Sequence, residues 1–472
     1  MMDYLEAFNK IKSIEEDPAI WNHRYNGIYL WPLLRFRIFD HYFGNDITSS
    51  FSRLLSRRLE NYSFPYLLDS YLGLKQSFTC SCAGFSQASS RRRIQGRYMD
   101  FLFDTLREKE KDMVIYEWPT PVRHFRNNAT PRNKLVYLDY ISLRVETIAY
   151  IWSRFRKETI TLPRSGIPQE CISRFLREQL SLFSLYYSAF SSLLRKNYLL
   201  KRIYIRVASN VRHLALIIAA RNLGIKTIEL SHGQMYPYCI DCIYHTVPKA
   251  KDLYWPFTDE FYLFNEHEKD IIITHSKVYS ATHLKTFDYF GSITKLYSAI
   301  PKEDTYRSIG IKQEHISRKK ILISSPGIKK KAIVSFLEPL LCEQDITDNY
   351  IVICKQHPLE QHKDPAYRPL LSYPHFYLVN ESLASIYELF SIADFHSSTI
   401  SSTIVESLYF GIPNIIILTK DGDFFELSKE DCIFSASDSK QYMKALHAIE
   451  NIPNIKQKML DIVKHHYSSC RQ

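Results

Sequence analysis

From about residue 112 the chain alternates short apolar runs with longer amphipathic stretches. "DMVIYEWP" (112–119), "KLVYLDYI" (134–141), "RIYIRVAS" (202–209), "KTIELSHG" (226–233), "EFYLFN" (260–265) and "TFDYFGSI" (286–293) are β-rich and bounded by turn residues, so each predicts a strand. A long helical pattern covers 166–200, and "RHLALIIAARNLG" (212–224) predicts a helix between two of the strands. Strand, helix, strand with a glycine closing the helix is a βαβ unit. A polar, lysine-rich stretch at 294–318 has no sustained period and reads as a linker. The alternation then restarts with "KKILISSPG" (319–327), a helix near 330–342, "YIVICKQHP" (350–358), "FYLVNES" (376–382), "SIADFHSS" (391–398), "NIIIL" (414–418) and "CIFSAS" (432–437), before a polar helical stretch at 439–467. Continuous apolar strands separated by helices predict a parallel sheet covered on both faces. Residues 1–110 read as mostly helical and basic. The expected division is therefore a helical region (1–110), a first α/β domain (111–295), a linker (296–318) and a second α/β domain with C-terminal helices (319–472).

Length agrees with that division, since 472 residues exceed what one core usually organises. The net charge of +11 favours an acidic partner without choosing among nucleotide, anionic polymer and lipid headgroup. The basic residues are dispersed among acids and match no nucleic-acid-binding module, so nucleic acid is not expected as a partner. Nine scattered cysteines predict reduced thiols in a cytoplasmic protein. Cys239-x-x-Cys242 and Cys80-x-Cys82 have no second ligand pair, and no metal site is expected. "MMDYLEAFNKIKSIEED" carries acids where a secretion signal needs an apolar core. The longest apolar run, "LALIIAA" (214–220), is too short to span a bilayer. "YNGIYLWPLLRFRIFDHYF" (25–43) predicts a core-facing helix, and the arginines of "SSRRRIQGRYMDFLFDTL" (89–106) read as a solvated charge run with an anionic acceptor as the alternative.

The candidate chemistry sits at predicted strand ends, where open parallel sheets take ligands. Six hydroxyls, Ser397, Ser398, Thr399, Ser401, Ser402 and Thr403, precede the helical pattern "SSTIVESLYFGIP", which Gly411 and Pro413 close. A helix N-terminus there would bind a phosphate through free N–H groups, with the hydroxyls as added donors and Glu406 accepting from a ribose diol. Lys355, His357 and Pro358 of "KQHP" end another strand, where the imidazole can donate to a phosphate oxygen. Ser325 and Gly327 of "SSPG" suit close approach of backbone to phosphate. In the first half, "ELSHGQ" (229–234) puts His232 at a strand end as a candidate general base. Glu229 and Asp241, and more remotely Glu117 and Asp139, are carboxylates that could orient it.

Together "ELSHG", "KQHP" and "SSTIVESLYFGIP" resemble bacterial GT-B glycosyltransferases of capsular and surface-polysaccharide assembly. More distantly they are similar to CDP-glycerol glycerophosphotransferases and to bacterial sialyl- and polysialyltransferases with a His-Pro motif. The resemblance covers about 200–415 and reaches faintly into "IYLWPLLRFRI" and "SRRRIQGRYMDF". It implies two Rossmann-like domains facing a central cleft, the first taking the acceptor and the second the nucleotide donor. By that resemblance His357 would contact the donor phosphate, Ser401 and Ser402 would be phosphate-binding hydroxyls, Glu406 the ribose contact and His232 the base. Ser231 stands where the family more often has Gln, and no acidic-acidic-Gly motif is present. The expectation is transfer of a sugar, or a sugar-like group, from a nucleotide-activated donor to an anionic or lipid-linked surface glycan, with inversion. The donor is the only co-substrate and no cofactor is required; the setting is cytoplasmic, at or near the inner face of the membrane. A nucleotide-sugar epimerase of the same fold and a non-catalytic polysaccharide-assembly or export subunit are the alternatives.

Overall fold

The computed structural model describes residues 2–43, 63–76, 79–119, 124–125, 127–249, 251–327, 330–358, 360, 364–399, 401–418, 423 and 425–467. Strands β1 (Arg24–Tyr25) and β2 (Ile28–Tyr29) form a short antiparallel pair beside the N-terminal helices. The first lobe is a seven-stranded parallel sheet of β3 (Cys82–Gln87), β6 (Val114–Trp118), β7 (Leu135–Tyr137), β8 (Arg202–Arg206), β9 (Lys226–Leu230), β10 (Glu260–Leu263) and β11 (Leu284–Thr286). A small antiparallel hairpin, β4 (Arg92–Ile94) and β5 (Arg97–Met99), projects from it. The second lobe is a six-stranded parallel sheet of β12 (Lys319–Ser324), β13 (Tyr350–Lys355), β14 (Phe376–Val379), β15 (Phe395–Ser398), β16 (Asn414–Ile417) and β17 (Phe434–Ala436).

Spatial order places the ligand-binding edge of each sheet. The first runs β11–β10–β9–β8–β3–β6–β7 and the second β14–β13–β12–β15–β16–β17. Each winds outward in both directions from its first strand, so each has one reversal point: β3/β8 in the first lobe, β12/β15 in the second. This is the expected architecture of two Rossmann-like lobes facing a cleft.

Three expectations need correction. The segment 1–110 is not only helical, because β3 is the strand from which the first sheet is wound. Its sequence, "CAGFSQ", is built of small and polar residues that carry no apolar signal, yet Cys82 to Phe85 are buried. The stretch 286–293 is a strand only to Thr286; Asp288 then accepts from Gly291 N and starts the helix Tyr289–Ser298. The linker 294–318 is largely helical, through the end of that helix and a second one, Lys302–Ile309. Its polar composition belongs to a solvated face, while Thr305, Tyr306 and Ile309 are buried.

The helix Trp31–Phe43 faces the core as expected. Arg35 is 2% exposed and its Nε donates to Glu15 at 2.6 Å. A buried pair of this kind adds little net stability but makes loss of either partner costly. One apolar cluster joins the lobes, with Phe101, Phe290 and Tyr297 of the first packed with Ile386, Tyr387 and Phe390 of the second.

Candidate active site

Both sheet reversals open into one cavity of about 640 Å³. From the first lobe it is lined by Ser90, Arg92, Arg206, His232, Gly233 and Asp241; from the second by Ser325, Lys355, His357, Pro358, Ser401–Thr403 and Glu406. The lobes approach closely here. A methyl placed on Gly233 would lie 3.6 Å from Ser402 Oγ.

His232 follows β9 by two residues and is partly exposed to the cavity. Its Nε2 lies 3.9 Å from Asp241, whose other oxygen accepts from Ser209 Oγ at 2.5 Å. Burial lowers the His232 pKa, Asp241 raises it and Arg206 lowers it, with burial the largest influence. The neutral, proton-accepting form is therefore favoured. Of the other carboxylates considered, Glu229 lies beneath, accepting from Ala208 N at 2.9 Å, and burial pushes it up to about 8. Glu117 and Asp139 do not serve His232. They clamp His124 at 2.6 and 2.7 Å, and Glu117 also pairs with Arg91 at 2.5 Å.

His357 follows β13 and is held in a depressed range, about 4, by burial and then by Arg92 and Lys355. Gly327 has φ +78, and a Cβ there would come within 2.9 Å of His357 Cγ, so the loop after β12 can close under the ring only with glycine. Gly327 thus shapes the site without lining it. Lys355 Nζ, 4% exposed as a side chain, donates to Glu381 at 2.9 Å.

The six hydroxyls separate into two groups. Ser397 Oγ pairs with Tyr442 OH at 2.8 Å, Ser398 Oγ donates to Ser324 O at 2.6 Å, and Thr399 is 2% exposed; none of the three lines the cavity. The expected phosphate role of Ser398 and Thr399 is corrected accordingly: β15 continues through Ser398 and buries it, and Thr399, directly after the strand, is buried as well. Ser325 reaches the cavity wall, but its hydroxyl donates to Glu360. Of the six, Ser401, Ser402 and Thr403 line the cavity.

The helix behind them, Thr403–Leu408, has six residues, shorter than expected. Its first-turn N–H groups at Ile404, Val405 and Glu406 already donate to the Ser401 and Ser402 carbonyls at 3.0–3.1 Å. The hydroxyls, rather than a helix dipole, are the polar surface offered here.

Ser401 and Thr403 belong to a hydrogen-bonded chain that no sequence motif advertised. His396 Nδ1 faces Asn414 Oδ1 at 2.7 Å, and burial holds the ring neutral, with a pKa of about 4. Its Nε2 lies 2.9 Å from Ser324 Oγ; Thr403 Oγ1 lies 2.6 Å from Ser324 and 2.9 Å from Ser401. Thr403 Oγ1 donates to Ser401 Oγ, which also accepts from Thr403 N at 3.3 Å, so the Ser401 proton faces the cavity unspent on this chain. Ser402 Oγ donates to Glu406 Oε1 at 2.7 Å.

The arginine run is not a solvated face. Arg91 is fully buried on Glu117, Arg92 lines the cavity, and Arg93 crosses to the second lobe, donating to Leu383 O at 2.6 Å and meeting Glu388 at 3.4 Å. Arg206, at the end of β8, also lines the cavity and donates to Ser90 Oγ. Arg92, Arg206 and Glu381 line the cavity and were missed by motif reading.

Cys239 lines the cavity and Cys242 is buried, both as free thiols. Among the described residues, one cluster has metal-ligand spacing, Cys82, Glu110 and Asp112. It lies at the amino end of β3, away from the cavity, with Arg202 on Glu110 at 2.6 Å. No helix among the described residues is long and apolar enough to cross a membrane.

No protein-family profile and no curated protein matches the chain. Among solved structures it is similar to the wall teichoic acid polymerase TagF, over 92% of this chain and 93% of that one, at 11% identity and a TM-score of 0.49. It is also similar to the UDP-GlcNAc 2-epimerase of Methanocaldococcus jannaschii, over 81% of this chain and 99% of that one, at 11% identity and a TM-score of 0.48. A glycosyltransferase from Rickettsia africae matches over 83% and 94%, at 10% identity and a TM-score of 0.45. Likenesses this remote carry no weight for activity, which rests on the cavity itself.

Proposed function

We propose that the protein is a GT-B glycosyltransferase that moves a sugar, or a sugar-like group, from a nucleotide-activated donor to a hydroxyl of a surface glycan. The observation that carries this reading is the convergence of two sheet reversals on one cavity, with His232 on one side and His357, Ser401, Ser402 and Glu406 on the other. One crevice suits the donor nucleotide and the other the acceptor.

In this reading the donor phosphate lies against Ser401, Ser402, Lys355 and His357. Ser402 turns its proton from Glu406 to phosphate, and Glu406 accepts a ribose hydroxyl instead. The acceptor oxygen forms a bond to the anomeric carbon while the carbon–oxygen bond to the donor phosphate breaks, its electron pair leaving with the phosphate. The acceptor proton passes to the His232 imidazole, and Asp241 stabilises the imidazolium. One in-line displacement of this kind inverts the anomeric centre. The leaving charge meets Lys355, His357 and the hydroxyls, so the step asks for no metal.

Work at a membrane surface is part of the proposal. On the helix Phe64–Lys75, Phe64 is 76% exposed; near the helix Asp139–Ser153, Trp152 is 49% and Phe155 77% exposed. Between these helices a groove of about 450 Å³ is lined by Lys75, Arg144 and Lys196 and by no described carboxylate. Apolar rings with a basic rim fit a bilayer bearing anionic headgroups.

The test is a panel of CMP-, CDP-, UDP- and GDP-activated donors, first for thermal stabilisation and then for turnover with and without glycan acceptor. Transfer that requires acceptor supports the reading. Donor consumed alone by epimerisation, or no donor bound, refutes it.

A further inference from the structure

The first-lobe crevice has a chemistry of its own. Ser89, Ser90 and Arg92 follow β3, Arg206 ends β8, and all four line the cavity at the β3/β8 reversal. Arg92 Nη1 is fixed by the carbonyls of Ser89 and Arg91 at 2.7 and 3.2 Å. Arg206 is fixed by Ser90 Oγ, while its Nε is buried without a hydrogen-bond partner among the described residues. The backbone that aims Arg206 is strained: Val207, a β-branched residue, has φ +59. That turn is held by the buried His213, whose Nδ1 donates to Val207 O at 2.7 Å, and by Asn210 Nδ2 at 3.2 Å. Strain of this kind persists where surrounding structure enforces it, commonly at ligand sites.

Two guanidinium groups held together repel each other. Burial disfavours the charge on Arg206 and Arg92 adds to that. The nearest carboxylates have other partners: Asp100 accepts from Ser86 and Phe103 N, Glu381 from Lys355, and Glu406 from Ser402. Arg92 keeps its charge against burial through Glu381 and, more weakly, Glu406, whereas Arg206, opposed by burial and by Arg92, is the less compensated of the two.

Building on the transferase reading, we propose that Arg92 and Arg206 form an anion subsite for a carboxylate or phosphate of the acceptor, so that the acceptor is an acidic glycan. The second-lobe crevice keeps the nucleotide. The strained turn after Arg206 and the carbonyls of Ser89 and Arg91 hold both guanidinium groups on the wall of the same cavity, where each can make charge-assisted hydrogen bonds to an oxyanion.

The experiment titrates three oligomers of equal length into the full-length protein saturated with CDP or UDP: a uronic-acid oligosaccharide, a glycerol-phosphate oligomer and a neutral oligoglucose. The acidic oligomers are expected to bind about 10- to 100-fold more tightly than the neutral one, and Arg92→Gln or Arg206→Gln to abolish that preference with nucleotide affinity retained. Arg92→Lys and Arg206→Lys, which keep the charge, should retain part of it and show that the fold is intact. Equal binding of acidic and neutral oligomers overturns the proposal. So does loss of nucleotide affinity in the Gln variants without loss of acidic preference, which would give the arginines to the donor diphosphate. The same oligomers run without nucleotide separate the two ideas: a wild type that binds no nucleotide but shows the arginine-dependent preference keeps the subsite and loses the transferase.

Discussion

Ser402 Oγ donates to Glu406 Oε1 at 2.7 Å, while the same oxygen lies 3.6 Å from where a methyl on Gly233 would stand. A hydroxyl of the second lobe is therefore satisfied within its own turn and faces Gly233 of the first lobe across the cavity. A ligand entering here must take the proton of Ser402 from Glu406, and Glu406 must find a new donor. Ser402→Ala should weaken nucleoside-diphosphate binding about 10- to 100-fold, the worth of one hydrogen bond to a charged group. Glu406→Gln should instead discriminate between nucleotide and inorganic pyrophosphate, losing affinity only for the former. Calorimetry with both ligands checks this; equal loss for both would remove the ribose role of Glu406.

His357→Ala should lower turnover by about 10²–10³ with the melting temperature nearly unchanged. Gly327→Ala should reproduce much of that loss by displacing the ring, and should also cost stability because its φ is +78. Turnover and thermal melting on the two variants separate the effects. A Gly327→Ala protein with unaltered turnover would show that the position of His357 does not matter.

The pH dependence of transfer follows from His232. A base must be deprotonated, and its pKa lies below the usual 6.5, so kcat/KM should be level at neutral pH and fall only in acid. Asp241 raises that pKa, so Asp241→Asn should move the acid limb to lower pH and also reduce the rate, since the imidazolium loses its counter-charge. A limb that moves to higher pH would contradict the assignment.

Stability should decline on both sides of neutrality. His213, His357 and His396 have folded values of about 3, 4 and 4, below the ordinary 6.5, so the unfolded chain binds more protons in acid. Their contribution is full above 6.5 and is lost as pH falls toward 4. His124 has the opposite sign: its carboxylate partners raise it to about 9, so its contribution is full below 6.5 and lost as pH rises through 9. Melting temperature against pH reads both limbs, and His124→Gln should flatten the alkaline one.

Vesicles containing phosphatidylglycerol should sediment the protein, and uncharged phosphatidylcholine vesicles should not. The double variant Trp152→Ser with Phe155→Ser should reduce that binding, as should salt, because the basic rim acts through screened charge. Binding to both vesicle types alike would leave Lys75, Arg144 and Lys196 without the proposed role.

Much of the second lobe was legible because its strands are continuous apolar runs, and a motif at a strand end inherits its position from the sheet. The placement of His357 and Ser401–Thr403 on the cavity wall was readable that way, as was that of His232 in the first lobe. Ser398 and Thr399 were misplaced because a hydroxyl row looks the same whether its members face the cavity or the core, and only the end of β15 divides them. β3 was missed because small residues give no periodic contrast. Arg92 and Arg206 were passed over because their significance is mutual: Arg92 opens the hairpin after β3 and Arg206 ends β8, strands more than one hundred positions apart in sequence and adjacent in the sheet.

Three successive arginines leave the β3 loop in three directions: Arg91 into the first-lobe core, Arg92 into the cavity, Arg93 onto Leu383 and Glu388 of the other lobe. The tripeptide is thereby a mechanical linkage with a fixed anchor and two arms. Three adjacent side chains thus tie the first-lobe core, the cavity wall and the second lobe to one short stretch of backbone, so the placement of the cavity cation is set by a core ion pair on one side and an interlobe contact on the other.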